Sequence, residues 1–290
     1  MNCAICGAAT RPHFQKHGYT IVECSHCGHQ AADLALVADH VAQVYGDHYF
    51  AGGGDGYPDY LAEADLLIAH GKRYGALLAQ HMAPGRVLDI GAAAGFLLQG
   101  LQQAGWSGVG LEPNARMVAH GREHFGLEMV VGELEQYGGN KPTEQFDLVS
   151  MIQVIGHFHD LPCALAQAAR LTKTGGFWLI ESWDRSSWPA RMLGEQWHEY
   201  SPPSVLHWFT ASELIELAAT HGFQVVAQGQ PQKWINAAHA KSLLRYKLTA
   251  APGYRFLDHL MTFIPDTLAL PYPAFDLCWL LLQKCNNDNP

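Results

Sequence analysis

The sequence contains few charged residues, and basic residues are the scarcer kind. Only 16% of its 290 residues are Asp, Glu, Lys or Arg, and 18 Lys and Arg stand against 27 Asp and Glu, for a formal net charge of −9. Because an acidic surface repels phosphate backbones, a dedicated DNA- or RNA-binding protein is not expected. Hydrophobic residues make up 48% of the chain, which is enough for a substantial core and excludes a disordered or fibrous protein.

Long hydrophobic runs are also absent. The longest, at 268–282, is interrupted by Pro271, Pro273 and Asp276, and no segment reaches the about 18 continuous apolar residues that a membrane span requires. The first residues contain neither the basic nor the apolar segment of a signal peptide. We therefore expect a soluble, cytoplasmic protein with no membrane span.

Four of the seven cysteines form two pairs near the N-terminus, in the pattern C-x2-C-x17-C-x2-C: Cys3, Cys6, Cys24 and Cys27. In a reducing compartment, paired thiols act as metal ligands more often than as disulfides. Four thiolates complete the tetrahedral coordination of Zn²⁺, which makes such a site structural and leaves His26 and His29 as spare ligands. The spacing predicts a zinc ribbon over 1–32 with a strand at 19–22. Chance spacing or a redox thiol pair is the alternative.

From residue 83 onward, short apolar segments alternate with helical segments. The predicted strands are 86–90, 108–111, 127–131, 146–151, 177–181, 223–227 and 275–284. Such alternation predicts an α/β protein with a doubly wound, mostly parallel sheet of seven strands.

The sequence pattern divides the chain into three regions. They are the zinc ribbon (1–32), a helical linker or lid (33–82) and the sheet domain (83–290). Glycines at 52–54 predict a flexible joint within the linker. Two insertions interrupt the sheet domain: 182–209, which contains four tryptophans, and 231–271, which we expect to be a helical cap.

The first strand of the sheet domain leads into the turn Val-Leu-Asp-Ile-Gly-Ala-Ala-Ala-Gly at 87–95. In an open α/β sheet, ligands bind where such a turn opens into a helix. A dinucleotide site needs G-x-G-x-x-G for its pyrophosphate, whereas this turn reads D-x-G-x-x-x-G, and Asp89 would repel a phosphate. A ligand with a carboxylate, an ammonium and no phosphate fits better, and S-adenosylmethionine is such a ligand.

Two further strand ends favour a nucleoside ligand. Glu112 ends the second strand, 21 residues after Gly91, where an acidic side chain can bind both ribose hydroxyls. Gly132, Glu133 and Leu134 follow the third strand, where a turn commonly frames an adenine. Each signal is weak alone, but together they place suitable residues at the ends of three successive strands. This combination predicts an S-adenosylmethionine site.

At these motifs the sequence resembles the class I S-adenosylmethionine-dependent methyltransferases. The resemblance rests on VLDIGAAAG, GVGLEPN, FDLVSMIQVIGHFHD and LTKTGGF, and the paired cysteines with the linker YGDHYFAGGGDGYPDY are similar to a subgroup with an N-terminal zinc ribbon. It implies cofactor contacts by Asp89, Gly91, Ala92, Gly95, Glu112, Pro113, Glu133, Leu134 and Gln153. The sequence departs from the family at Gly156, where many relatives carry Glu before the His.

The resemblance also implies that the acceptor approaches over the ends of the fourth and fifth strands. His157 lies in the loop after the fourth strand, and an ordinary histidine pKa near 6.5 suits a general base for a hydroxyl, amine or acidic carbon. It could instead only hydrogen-bond the loop backbone. Glu199, Tyr200 and His207 are further pocket candidates, and the tryptophans of the first insertion are either an aromatic wall for the acceptor or core.

These observations favour an enzyme that transfers a methyl group from S-adenosylmethionine to a small molecule such as a sugar, lipid precursor or natural product, on carbon, nitrogen or oxygen. An RNA methyltransferase is an alternative, because zinc ribbons often accompany nucleic acid, but Arg11 and Lys16 are the only Lys or Arg of 1–32. A non-catalytic S-adenosylmethionine-binding scaffold is the other alternative. The intact motifs oppose it, and the missing Glu at Gly156 keeps it open.

Overall fold

The N-terminal part of the computed structural model is a small antiparallel sheet. The structure describes residues 1–34, 40–52, 59–138, 144–238, 240–241 and 264–285. The first strands are β1 (Thr10–Lys16), β2 (Tyr19–Cys24) and β3 (Gln30–Asp33), which pair in sequence order. His17 and Gly18 form the two-residue hairpin loop between β1 and β2, and both have the positive φ that such a loop requires. The predicted strand at 19–22 lies within β2.

A helical segment connects this small sheet to the sheet domain. It consists of α1 (His40–Val44), α2 (Asp47–Ala51), a 3₁₀ turn (Leu61–Glu63) and α3 (Ala64–Leu78). Most of the predicted glycine joint, residues 53–54, lies outside the described residues. The glycines of α3 permit close packing, because a Cβ on Gly71 would lie 2.3 Å from the carbonyl oxygen of Leu97 in the next helix. This close approach fixes α3 against the sheet domain.

The sheet domain has a main sheet of seven strands. Its elements, with those of its insertions, are β4 (Arg86–Ile90), α4 (Phe96–Gln103), β5 (Ser107–Glu112), α5 (Ala115–Phe125), β6 (Glu128–Val131), β7 (Phe146–Ile152), α6 (Leu161–Leu171), β8 (Thr172–Trp183), α7 (Trp188–Leu193), β9 (His207–Trp208), α8 (Ala211–Thr220), β10 (Phe223–Gly229), β11 (Lys233–Asn236), β12 (Ala269–Tyr272) and β13 (Leu277–Lys284). The strand order is β6-β5-β4-β7-β8-β13-β10, and β13 runs opposite to the other strands. The predicted doubly wound, mostly parallel seven-stranded sheet is confirmed.

Hydrophobic residues cover both faces of this sheet. Leu88 and Val149 belong to a core beneath α6 and α8, whereas their neighbours Val87 and Leu148 belong to a core beneath α3, α4 and α5. Because both faces are buried, the strands read as continuous apolar runs in the sequence. This is why they could be recognised there.

Side-chain caps fix the points at which helices begin. Asn114 accepts a backbone N–H of α5 at 3.0 Å, and Asp160 accepts one of α6 at 3.1 Å. Thr210 and Glu213 form a capping box at the start of α8. None of the helices in the described part of the chain is long and apolar enough to cross a membrane.

The first insertion and the small N-terminal sheet form one layer. Strand β9 pairs with β3, so that Gln30 lies opposite Trp208 in a four-stranded sheet. Ile21, Trp197 and Trp208 are fully buried in the core between them. The N-terminal segment is therefore anchored to the sheet domain by backbone pairing as well as by apolar contacts.

The ends of the second insertion differ from the expected helices. They form the antiparallel pair β11–β12, with Lys233 opposite Tyr272. Their pairing partners are more than thirty residues apart in the sequence, so no local periodicity signals them. The intervening residues 239 and 242–263 lie outside the described residues.

Candidate active site

A cavity of about 870 Å³ lies at the carboxyl ends of β4, β5, β6 and β7. It is lined by eight of the nine predicted cofactor residues and by the predicted base: Asp89, Gly91, Ala92, Glu112, Pro113, Glu133, Leu134, Gln153 and His157. The sequence signals therefore converge on one cavity, although they come from four different strand ends.

Gly91 forms the tight turn at the end of β4. Its φ is +68°, and the N–H groups of Gly91 and Ala92 both donate to the carbonyl oxygen of Leu111, at 2.9 and 3.1 Å. A Cβ on Gly91 would lie 2.8 Å from Cγ2 of Val154, which also lines the cavity. The turn therefore needs a residue without a side chain, both for its backbone conformation and for the space beside Val154.

The ninth predicted cofactor residue, Gly95, does not line the cavity. It precedes α4 with a φ of +78°, and a Cβ there would lie 2.4 Å from Cδ1 of Leu127 and 3.1 Å from Sδ of Met129. The glycine therefore allows the start of α4 to pack against apolar side chains. Its effect on a ligand would be indirect, through the position of this helix.

Two buried carboxylates, Asp89 and Glu112, lie at the ends of β4 and β5. Burial raises the pKa of Asp89 to about 7, and the charge of Glu112 adds to this shift, whereas a hydrogen bond from Ser150 at 2.7 Å opposes it. Glu112 accepts the backbone N–H groups of Ala93 at 2.9 Å and of Asn114 at 2.8 Å. Burial raises the pKa of Glu112, and these N–H groups oppose the shift. Each oxygen of Glu112 keeps a second lone pair for a ligand hydroxyl.

Glu133 and Leu134 form the end of the cavity that follows β6. Leu134 is buried and offers an apolar surface, while Glu133 is partly exposed. Nδ1 of His159 lies 3.6 Å from Glu133 and 3.3 Å from Glu135. This end therefore combines an apolar floor with a polar rim, which suits a heteroaromatic ring.

Aromatic residues of the helical linker cover the cavity. Tyr45, Tyr49 and Tyr60 all line it. Asn114 ties this cover to the sheet domain, because its Nδ2 donates to the carbonyl oxygen of Tyr45 at 3.1 Å and to Asp47 at 3.2 Å. None of these residues was predicted as a site residue, although the dense aromatics of YGDHYFAGGGDGYPDY were a signal.

His157 lies in a 3₁₀ turn directly after β7 and lines the cavity. Its Nδ1 lies 2.7 Å from the carbonyl oxygen of Ser204 and 2.8 Å from the hydroxyl of Tyr45. Because a carbonyl only accepts, Nδ1 carries the proton, and a neutral ring then leaves Nε2 unprotonated. Burial lowers the pKa of His157, and the backbone carbonyls of Ser204 and Gln153 oppose this shift. The ring is thus held by the backbone and favoured in its neutral form.

Gly156, where the sequence departs from the family pattern, is explained by packing. A Cβ on Gly156 would lie 2.9 Å from the carbonyl oxygen of His207, and the carbonyl of Gly156 accepts the N–H of Leu206 at 2.8 Å. Strand β9 therefore passes so close that a glutamate would not fit here without a shift of the backbone.

A buried glutamate at the end of β8, Glu181, organises the side of the cavity beyond Gln153. It is fully buried and accepts hydrogen bonds from His70 Nε2 at 2.8 Å, from the hydroxyl of Tyr74 and from the amide of Gln153. Burial alone would raise the pKa of Glu181, but the hydrogen bond and charge of His70, with the charge of Lys233, lower it to about 2. Glu181 is therefore ionised, and it fixes the orientation of the Gln153 side chain.

The other pocket candidates divide into three groups. Glu199 and Trp183 line the cavity. Tyr200 donates to Gln30 at 2.6 Å in the interface with the N-terminal sheet, and His207 lies in the same interface, where burial lowers its pKa to about 4. Trp197 and Trp208 are core residues of this interface, and Trp188 is exposed.

The four paired cysteines meet at one point of the N-terminal sheet. Their sulfur atoms all lie within 4.8 Å of one another, with Sγ–Sγ distances of 3.6 Å for Cys3–Cys27 and 3.4 Å for Cys6–Cys24. Zinc–sulfur bonds of about 2.3 Å in a tetrahedron separate the sulfurs by about 3.8 Å, so the cluster fits this ion. The spare ligand His29 points elsewhere, because its Nε2 lies 3.1 Å from Nδ1 of the buried His207.

Comparison with known proteins agrees with this geometry. A family model described as a methyltransferase domain matches residues 63–228, which is more than half of the chain, and the chain belongs to this family. Ubiquinone biosynthesis O-methyltransferases of Rhodopseudomonas palustris (strain BisB5) and Bradyrhizobium sp. (strain ORS 278) are each 30% identical over 128 residues, or 42% of this chain and 47% of the relative. The chain thus spans about half the length of these curated relatives.

Solved structures share the fold. A chain of the complex between the Haloferax volcanii Trm112 methyltransferase activator and a methyltransferase has a TM-score of 0.57 at 18% identity, over 88% of this chain and 100% of that chain. The Burkholderia thailandensis 1,6-didemethyltoxoflavin-N1-methyltransferase, solved with bound 1,6-didemethyltoxoflavin and S-adenosylhomocysteine, has a TM-score of 0.55 at 16% identity, over 95% of this chain and 100% of that chain. The predicted class I methyltransferase fold is confirmed.

Proposed function

We propose that this protein is an enzyme that transfers the methyl group of S-adenosylmethionine to a small-molecule acceptor. The observation that carries the proposal is the single cavity, in which the residues suited to the cofactor, Gln153 among them, adjoin His157 and an aromatic side wall. Membership in a methyltransferase family supports the same reaction.

The residues present fit the cofactor. Glu112 has free lone pairs for the ribose hydroxyls, and Leu134 offers an apolar surface to the adenine. Gly91 lets the turn pass close to Val154 at the cavity wall, where a Cβ would lie 2.8 Å from Cγ2 of Val154. The carboxylate of Asp89 suits the ammonium of the methionine part. When bound, S-adenosylmethionine supplies a methyl group activated by a sulfonium, so the protein mainly has to position the acceptor.

A hydroxyl oxygen is the acceptor atom that we favour. The similar curated proteins are named as O-methyltransferases, although the match covers only half of their length. An unactivated hydroxyl needs a base, and His157 is the candidate because Nδ1–H is committed to Ser204 while Nε2 is unprotonated. Gln153, held by Glu181, would orient the acceptor beside it.

The cavity suits a small molecule better than RNA. Of the described residues that line it, Lys16 and Lys233 are the only Lys or Arg, and Lys16 donates to the carbonyl oxygen of Glu195 at 2.7 Å. A surface that tracks a phosphate backbone needs several basic groups. The formal net charge of −9 points the same way.

Turnover with a panel of hydroxylated small molecules tests this function. We expect the purified protein to release S-adenosylhomocysteine and a methylated product with at least one aromatic or aliphatic alcohol, detected by mass spectrometry. The Gly91→Leu variant is the control for contaminating activity and should release neither. Methylation of RNA and of no small molecule would favour the nucleic-acid alternative. Binding of S-adenosylmethionine without its consumption, with every acceptor tested, would favour the scaffold alternative.

We also infer that the four-cysteine cluster holds one structural zinc ion. Protein purified without added metal should contain about one equivalent of zinc by elemental analysis, because four thiolates close the coordination shell. Cys24→Ser should lose most of this zinc and lower the melting temperature, whereas Cys163→Ser, at an exposed single cysteine, should change neither. A fully folded, metal-free wild-type protein would contradict the inference.

A further inference from the structure

Lys233 places a positive charge in the cavity beside Gln153, the predicted cofactor residue that follows β7. It lies on β11 and lines the cavity, and its Nζ donates to Oε1 of Gln153 at 3.1 Å. The other side of the same Gln153 amide donates to the buried Glu181. The amide thus links the ammonium to the carboxylate without a direct contact between them.

Lys233 forms no direct salt bridge with a described residue, although its charge stabilises the buried carboxylate of Glu181 from beyond Gln153. Among the described residues, no carboxylate oxygen lies within the 4.0 Å of a salt bridge from its Nζ. Glu181 uses its oxygens on His70, Tyr74 and Gln153. An ammonium has three N–H donors, and Gln153 takes one, so two remain for a ligand.

Two aromatic rings flank this ammonium. Nζ of Lys233 lies 5.8 Å from the ring centroid of Trp183 and 5.6 Å from that of Tyr272. The two rings are nearly perpendicular, at an interplanar angle of 79°. Both line the cavity, so they offer apolar walls on which a planar group can pack beside the charge.

We propose that Lys233 selects a planar acceptor that carries an anionic oxygen, either a carboxylate or an acidic hydroxyl. An anionic oxygen would satisfy the two remaining N–H donors, and Trp183 and Tyr272 would hold the ring that bears it. The inference rests on the proposed function, since it names the class of acceptor for the same cavity. Lys233 is a specificity-determining residue in this account, separate from the proposed base His157.

Apart from its contact with Gln153, Lys233 comes from a different part of the fold than the predicted cofactor residues. Those residues follow β4, β5, β6 and β7, whereas Lys233, Trp183 and Tyr272 lie on β11, the end of β8 and β12. This placement favours the acceptor as the partner of Lys233. The carboxylate of the cofactor is the competing anion, and the experiment separates the two.

Calorimetric titration of matched planar probes into the protein saturated with S-adenosylhomocysteine tests the proposal. The probes are protocatechuate and its amide, caffeate and its amide, and nitrocatechol, whose acidic hydroxyl replaces the carboxylate. We expect at least one anionic probe to bind more tightly than its neutral partner. Lys233→Met should lower the affinity for that anionic probe by about ten- to a hundredfold, because a charge-assisted hydrogen bond is lost. The affinity for the neutral partner should be unchanged.

Two further variants serve as controls. Lys233→Arg should restore the preference because it keeps the charge, and Lys173→Met, at a surface lysine paired with Asp147, should behave as wild type. If Lys233→Met weakens the binding of the carboxylate probes, the anionic oxygen is a carboxylate. If it weakens the binding of nitrocatechol, the anionic oxygen is an acidic hydroxyl. Equal affinity for charged and neutral probes, or no binding of any probe up to its solubility limit, would overturn the proposal.

Binding of S-adenosylhomocysteine itself separates this inference from the proposed function. If Lys233→Met lowers the affinity for S-adenosylhomocysteine, Lys233 binds the cofactor carboxylate and the acceptor proposal is overturned. If the wild-type protein does not bind S-adenosylhomocysteine at all, the proposed function fails, whatever the probes do.

Discussion

Replacing Gly91 by leucine should abolish the binding of S-adenosylhomocysteine. A Cβ at this position would lie 2.8 Å from Val154, and a longer side chain would occupy the space between the turn and the cavity wall. The positive φ of +68° adds about 1–2 kcal/mol of backbone strain for a residue other than glycine. We expect calorimetric affinity to fall by at least about a hundredfold, which corresponds to about 2.7 kcal/mol.

A matched control separates the loss of space from backbone strain. Gly126 has a similar φ of +64°, but a Cβ there would meet no atom within 4 Å. Gly126→Leu should therefore lower the melting temperature through strain and still bind S-adenosylhomocysteine. Undiminished binding by a folded Gly91→Leu protein would show that the cofactor does not use this turn.

Replacing His157 by alanine should lower turnover by about 10²- to 10⁴-fold if Nε2 accepts the proton of the acceptor. The affinity for S-adenosylhomocysteine should change little, because the ring does not belong to the predicted cofactor residues. Since burial lowers the pKa of His157, the neutral base persists at neutral pH, and kcat should fall only as the pH drops through that lowered value. Single-turnover rates with a saturating acceptor measure the effect.

The alanine variant also removes a structural hydrogen bond, so a second variant is needed. His157→Asn can donate to Ser204 in place of Nδ1–H, and it has no basic nitrogen. It should recover the stability that His157→Ala loses without recovering the rate. A rate that returns with the asparagine would assign His157 a purely structural role, and an unchanged rate in both variants would end the base hypothesis.

The sheet and the cofactor end of the cavity could be predicted because their signals are local. Apolar runs such as 86–90 mark buried strands, and Gly91 and Glu112 occupy strand ends that the topology brings together. Gly95 shows the limit of this reasoning. Gly95 leaves room for the side chains of Leu127 and Met129 and not for a ligand. The sequence alone does not distinguish these two reasons for a glycine.

The acceptor end could be predicted only in part, because it is built from distant parts of the chain. His70 and Glu181 are 111 residues apart, and Lys233 and Gln153 are 80 apart. Tyr200 was a pocket candidate, yet it packs against Gln30 because β3 and β9 pair. Nothing in the local pattern around these residues signals which of them share a cavity.

A crystal structure of the protein with S-adenosylhomocysteine would locate the cofactor site. We expect one ligand in the cavity at the ends of β4 to β7, with its ribose on Glu112, its adenine against Leu134 and its amino acid part at the Gly91 turn. The side bounded by Trp183, Lys233 and Tyr272 should remain open for the acceptor. A ligand bound outside this cavity, or one whose carboxylate lies on Lys233 and fills the acceptor side, would contradict the account.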